Sequence, residues 1–137
     1  MPRGRCHRHG AQGPCSCAMG NLYRFVEPVT LWMLFRRGSA HGYELGSELQ
    51  EHALTDSLID RSALYRVLQT LEANGHVTST WDVSGGGPAR HVYSLTPSGR
   101  QHLEEWVTVL EKLGASMQRF AAEARAALRE AAVSSPR

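Results

Sequence analysis

The chain has 137 residues, enough for one domain with a buried core but few enough for self-association to add stability. Fifteen Lys and Arg residues against thirteen Asp and Glu residues give a net charge of +2, so a polyanion must be attracted by a local concentration of charge rather than by the whole molecule. No run of about 18 apolar residues occurs, which excludes a membrane-spanning protein, and the basic N-terminus lacks the apolar segment of a secretory signal, so we expect a cytoplasmic protein.

Arginine supplies nearly all of the positive charge, since Lys112 is the one lysine. Arginine suits bidentate contacts with phosphates and guanine edges. A GC-rich genome would also replace lysine by arginine, so the composition leaves both explanations open.

Residues 1–21 are predicted to be a disordered arm, because no large aliphatic residue precedes Leu22. Five soft or borderline metal ligands lie within twelve residues of this arm, namely Cys6, His7, His9, Cys15 and Cys17. Their spacing lacks the paired Cys-x-x-Cys of a zinc ribbon. Two interpretations remain: a metal or redox sensor holding zinc, copper(I) or an iron–sulfur centre shared between two arms, or incidental thiols.

Two helices are predicted next. The first covers the apolar stretch 22–35, with Pro28 in its first turn and Gly38 as its stop. Ser39 is the predicted N-cap of the second, whose buried stripe consists of Leu45, Leu49 and Ala53.

A third helix is predicted between an Asp60 N-cap and a stop at Asn74-Gly75. Its apolar stripe consists of Leu64, Val67, Leu68 and Leu71. The opposite face has no acid before Glu72, and it presents Arg61, Ser62, Tyr65, Arg66 and Gln69. Donors and acceptors without carboxylates suit a helix that reads base edges in a DNA major groove.

A β-hairpin follows, because apolar and polar residues alternate from Val77 to Val83 and the β-rich segment RHVYSLT comes after SGGGPA. Its glycines, Gly86 among them, would let the backbone approach a phosphate, and Arg90 would add a cation. The alternative is a merely flexible loop.

A long helix is predicted from Thr96-Pro97 to about Ala132. Its apolar residues repeat in heptads, and the repeat includes Leu103, Trp106, Leu110, Leu113, Met117 and Phe120. The helix is longer than one small domain can cover, which favours pairing with a second copy. A helix folded back on a monomer is the alternative.

The order of these elements predicts a mainly α fold with a small β-hairpin: a winged helix-turn-helix plus a long C-terminal dimerisation helix. We place the winged domain at 22–96, the dimerisation helix at 97–132 and a disordered tail at 133–137.

HGYEL at 41–45, ALYRVLQTLEANGHV at 63–77 and the wing sequence from Trp81 to Gly99 resemble the PadR family of bacterial transcriptional regulators. The likeness covers about residues 22–125, and the wing is similar to that of polyhydroxyalkanoate-responsive repressors of the short-tail subgroup. The resemblance implies a homodimeric DNA-binding repressor with the third helix in the major groove and the wing on the flanking backbone. Ser62-Ala63 replaces a frequent Gly-Thr, and Arg66 replaces a frequent proline, which changes the expected operator.

Together the residues and the resemblance predict a palindromic DNA operator and a second copy of the chain as partners. The candidate DNA contacts are Ser39, His41, Tyr43, Arg61, Ser62, Tyr65, Arg66, Gln69, Gly86 and Arg90. The candidate dimer interface consists of Trp32, Leu103, Trp106, Leu110, Leu113, Met117 and Phe120. An alternative function is a winged-helix module that binds protein without binding DNA.

A regulator needs an effector, which the sequence does not identify. Trp32 and Trp106, together with Met33, Met117 and Phe120, would either line an effector cavity at the dimer interface or form the core of that interface. No nucleophile with a base at a recognisable spacing occurs, so we do not expect an enzyme.

Overall fold

The computed structural model describes residues 25–54 and 60–134. Helix α1 (Val26–Arg37) is followed by strand β1 (Ser39–His41), helix α2 (Gly42–Leu49) and a short 3-10 turn (Gln50–His52). Helix α3 (Arg61–Ala73), strands β2 (Val77–Asp82) and β3 (Arg90–Leu95) and helix α4 (Pro97–Ser134) complete the described chain. The chain divides into two units between Leu103 and Glu104, so the winged fold lies in the first and most of α4 in the second.

The described sheet has three antiparallel strands in the order β1-β3-β2, so the predicted hairpin gains a third strand. Strand β1 places Ala40 opposite Tyr93, and β2 places Ser79 opposite the same residue. With three residues, β1 is too short to show a period of two in the sequence. Because Ser39 belongs to β1 and pairs with Ser94, its prediction as the N-cap of the second helix is wrong.

The core lies between the three short helices and one face of the sheet. Helix α1 is buried on several sides, as its continuous apolar sequence requires, and α2 and α3 each bury one stripe. The fully buried side chains include Leu31, Met33, Leu34, Leu45, Leu49, Leu64, Leu68, Leu71 and Val77.

Predicted helix ends are confirmed at Gly38, Asp60, Gly75 and Thr96. Gly38 (φ 83°) and Gly75 (φ 80°) follow α1 and α3 in the left-handed region that favours glycine. Thr96 caps α4, since its Oγ1 accepts the backbone N–H of Gly99 at 3.0 Å and donates to the carbonyl of Gly75 at 2.7 Å. One threonine therefore fixes both the start of α4 and the turn before β2.

The second unit is the part of α4 beyond Leu103. Several of its large apolar side chains are exposed, with 56% of Met117, 70% of Phe120 and 71% of Leu128 accessible to solvent. This stretch of helix therefore carries an exposed apolar face.

Candidate nucleic-acid interface

Helix α3 presents a polar, acid-poor face to solvent. Asp60 caps the helix, with its Oδ1 accepting the backbone N–H of Ala63 at 2.8 Å. The first acidic residue of the helix is Glu72, in its last turn. All five side chains predicted to face outward are exposed, namely Arg61, Ser62, Tyr65, Arg66 and Gln69. Between the Asp60 cap and Glu72, α3 therefore offers donors and acceptors without a carboxylate.

The start of α2 positions two of these side chains. The guanidinium carbon of Arg61 lies 4.8 Å from the centre of the Tyr43 ring, in a cation–π contact. Tyr65 packs against the backbone of Gly42 so closely that a Cβ atom there would lie 2.8 Å from Tyr65 Cε1 and 2.9 Å from its hydroxyl oxygen. Glycine at position 42 thus permits the observed place of the Tyr65 ring.

His41 links the start of α2 to the hairpin. Its Nδ1 lies 2.6 Å from Glu44 Oε1, and its Nε2 lies 3.8 Å from Asp82 Oδ2. Glu44 also accepts the backbone N–H of His41 at 2.9 Å, which is the main reason that the pKa of Glu44 lies below its ordinary value; Arg37, at 3.0 Å, adds to the effect. Arg37 pairs with Glu48 as well. Whether His41 contacts DNA remains a prediction.

The wing, defined as β2, β3 and the connecting residues 83–89, has a structured start and an open tip. Asp82 Oδ1 accepts the hydroxyl (2.6 Å) and the backbone N–H (3.0 Å) of Ser84, and these bonds lower the pKa of Asp82. Gly86 has φ 73°, which favours glycine. Arg90 is exposed opposite Asp82 in the ladder. The wing therefore carries a cation beside a tip with little side-chain bulk.

A groove of about 1050 Å³ separates α3 from the wing, and we name it the α3–wing groove. Tyr65, Gln69 and Glu72 line it along α3, while the segment from Pro88 to Tyr93 lines it along the wing. The segment from His41 to Glu44 also lines it. Tyr93 is 5% exposed, and burial together with the nearby Glu72 raises the pKa of its phenol.

The structure brings part of the predicted DNA-binding set together. Tyr43, Tyr65, Gln69, His41 and Arg90 line the α3–wing groove. Ser62 and Arg66 lie exposed on α3, and Ser39 is exposed on β1. The sequence analysis did not predict the groove, although the spacing of Tyr65, Gln69 and Glu72 on one helix and of His91 and Tyr93 on one strand face could have indicated its walls.

The predicted interface residues fall into two groups. Trp32 is 36% exposed on α1, edge-on to His52 with centroids 4.9 Å apart, while Leu103 is half-buried within the first unit. In the second unit Met117 and Phe120 are exposed, and Trp106, Leu110 and Leu113 are half-buried. The proposed place of Met33 in an effector cavity is wrong, because Met33 is 1% exposed inside the winged unit.

The five metal-ligand candidates Cys6, His7, His9, Cys15 and Cys17 lie outside the described residues, so the sensor hypothesis stays a prediction. Within residues 25–54 and 60–134, no group of three or more His, Cys, Asp or Glu side chains is placed to hold a metal ion. Over the same residues, every helix is too short or too polar to cross a membrane.

Comparison with known proteins connects this geometry to a family. The model of the transcriptional regulator PadR-like family matches residues 31–105, more than half of the chain. The chain is 30% identical over 74 residues to the negative transcriptional regulator PadR of Bacillus subtilis, and the match spans 54% of this chain and 41% of that protein. The chain thus matches about two fifths of the length of that curated relative.

Solved structures give the same fold. A PadR family transcriptional regulator from Eggerthella lenta is 27% identical with a TM-score of 0.58, over 73% of this chain and 85% of that one. A PadR family regulator from Clostridium difficile shares the fold at 21% identity and a TM-score of 0.60, over 71% of this chain and 98% of that one. The chain has a winged three-helix core and a long C-terminal helix, and the family model matches residues 31–105. We conclude that the chain belongs to the PadR-like family of transcriptional regulators.

Proposed function

We propose that the protein is a homodimeric, sequence-specific DNA-binding repressor that an effector releases. The observation that carries the proposal is the exposed, acid-poor face of α3 beside a wing with an exposed arginine. Arg61, Arg66 and Gln69 would read base edges in the major groove, while Arg90 and the glycine-rich tip would contact the flanking phosphates. Repression is supported by the Bacillus subtilis relative, which is described as a negative regulator.

The exposed apolar face of α4 supports pairing of two copies. Stripe residues such as Met117 and Phe120 are exposed in the described chain, and large apolar patches of this kind mark interfaces. Residues 22–96 would then bind DNA, and residues 97–132 would pair the copies. The wing sequence supports placing the protein in the short-tail subgroup, near polyhydroxyalkanoate-responsive repressors.

The test is selection of genomic fragments by the purified protein, followed by fluorescence anisotropy on the enriched sequence. Affinity should fall steeply between low and physiological salt, since several phosphates are neutralised. Arg66→Ala should weaken specific binding by about 1–3 kcal/mol and relax one base preference.

Arg119→Ala is the matched control, because Arg119 lies on α4 outside the winged unit. Equal binding to all fragments, or capture of protein in place of DNA, would contradict the proposal.

A further inference from the structure

The α3–wing groove has a chemistry that DNA binding leaves unexplained. A DNA backbone would require cations along the groove. The groove instead has a carboxylate, that of Glu72, at the C-terminal end of the wall that α3 forms. The volume of the groove, about 1050 Å³, is slightly above the range of small-molecule sites, which is roughly 300–1,000 Å³. The groove is therefore large enough for a ligand of drug-like size.

The carboxylate of Glu72 has no positively charged partner among the described residues. Its Oε2 accepts the hydroxyl of Ser79 at 2.6 Å, which is a neutral donor. The second carboxylate of the groove, that of Glu44, is by contrast already paired with Arg37 and His41. Arg90 lines the same groove from the wing, but among the described residues it forms no ion pair with Glu72, so this carboxylate is available to a cationic ligand.

Aromatic side chains line the groove together with Glu72. Tyr93 lies near enough to Glu72 for that carboxylate to help raise the pKa of its phenol, and Tyr43 and Tyr65 line the same groove. The Tyr93 hydroxyl lies 3.1 Å from His91 Nδ1, and the His91 ring stacks on Trp81 at 4.5 Å. Ring faces attract cations, as the contact of Arg61 with Tyr43 already demonstrates in this protein.

We propose that the α3–wing groove binds a planar organic cation between the exposed Tyr65 ring and the carboxylate of Glu72. Because Tyr65, Gln69 and Arg90 line the groove and belong to the proposed DNA contacts, an occupied groove excludes DNA. The exclusion of DNA rests on the proposed function, whereas the binding of the cation does not.

The first experiment is isothermal titration calorimetry of the full chain without DNA, using three probes that share one ring system. N-methylquinolinium is the cation, quinoline in its unprotonated form is the neutral probe, and quinaldate is the anion. The cation should bind and the other two should not bind measurably. Equal binding of the cation and the neutral probe would overturn the proposal, because the charge would then contribute nothing.

Glu72→Gln keeps the shape of the side chain and removes its charge. It should weaken binding of N-methylquinolinium by about five- to tenfold, as expected for a partly exposed ion pair joined to aromatic contacts. Glu51→Gln is the control, since Glu51 is an exposed acid outside the groove. Unchanged affinity in Glu72→Gln would overturn the assignment.

A competition experiment separates the two steps. N-methylquinolinium should release a labelled operator from the wild type and do so less effectively with Glu72→Gln, whose own DNA binding should be undiminished. Loss of DNA binding in Glu72→Gln would identify Glu72 as a DNA contact and overturn the ligand site. If the protein binds DNA but not the cation, this inference alone is contradicted. If it binds the cation but not DNA, the proposed function alone is contradicted.

Discussion

Gly99, in the first turn of α4, lies where a side chain cannot fit. A Cβ atom there would collide with the backbone carbonyl oxygen of His76 and lie 2.7 Å from Leu95 Cδ1. Because a backbone carbonyl cannot rotate away, Gly99→Ala should lower the free energy of unfolding by about 3 kcal/mol, the upper range for overpacking.

Urea denaturation at fixed protein concentration measures this loss. Gly114→Ala is the matched control in the same helix, since a Cβ atom at Gly114 meets nothing within 4 Å. That substitution should be neutral or should stabilise by up to about 1 kcal/mol through helix propensity. Equal effects of the two substitutions would contradict the close packing of Gly99.

Gly42 controls the place of Tyr65. A methyl group at position 42 would push the Tyr65 ring, which is a movable side chain, so Gly42→Ala should reduce operator affinity more than it reduces stability. We expect a loss of about 1 kcal/mol in binding, as for one weakened base contact. Anisotropy and thermal unfolding measured together check this. Gly114→Ala is the control, because Gly114 lies on α4 outside the proposed DNA contacts and a Cβ atom there meets nothing within 4 Å. Undiminished affinity would remove Tyr65 from the DNA-binding set.

At this scale the sequence predicts side-chain direction well and contacts poorly. The helical period placed Arg61, Tyr65 and Gln69 outward, because burial of one stripe fixes the opposite face. The approach of Tyr65 to Gly42 joins two elements, so no local pattern could indicate it.

Among the elements, α2 depends on an ionised carboxylate. The backbone N–H of His41 and the neighbouring charges lower the pKa of Glu44 in the folded protein below its ordinary value of 4.5. The resulting stabilisation is complete above that ordinary pKa, and it is lost as pH falls through the lower folded value. Glu44→Gln should therefore be less stable than the wild type near neutral pH and approach it in acid.

Chemical denaturation at several pH values measures the difference. Glu51→Gln should show no such convergence, because Glu51 is exposed in the 3-10 turn and outside these contacts. If the free energies of unfolding of Glu44→Gln and the wild type run parallel throughout the acid range, ionisation of Glu44 does not stabilise the fold.

The elements themselves were largely predictable, because their ends carry local chemistry. Asp60, Gly75 and Thr96 mark helix boundaries in the sequence and occupy those boundaries in the structure. The start of α2 was not predictable in this way. Ser39 is a good capping residue, but it lies in β1, which pairs with β3. The hydrogen bond from the His41 N–H to Glu44 caps the helix instead, so α2 starts at Gly42.

For the whole molecule, the exposed face of α4 predicts a dimer. Phe120→Asp would place a carboxylate in the proposed apolar interface and should weaken association by at least about 2 kcal/mol per copy. Sedimentation should then show a monomer at concentrations where the wild type is dimeric. Gln118→Asp, off the apolar stripe, should remain a dimer, and an unchanged sedimentation coefficient for Phe120→Asp would refute pairing through this face.

Partners are the least predictable part from one sequence. The heptad repeat from Leu103 to Phe120 indicates that α4 needs a partner, because apolar surface must be covered. The α3–wing groove depends instead on how α3, the hairpin that follows it and the start of α2 are placed relative to one another. Residue spacing can indicate which side chains form its walls, but no periodicity encodes that placement.

Methylation interference on a selected operator tests the central claim, that two copies of α3 read successive major grooves of one duplex. Methylation of guanine N7 blocks the major groove, whereas methylation of adenine N3 blocks the minor groove. The account predicts two clusters of interfering guanines about 10 base pairs, or about 34 Å, apart, with one guanine lost from each cluster in Arg66→Ala. A single cluster, or interference confined to adenine N3, would contradict it.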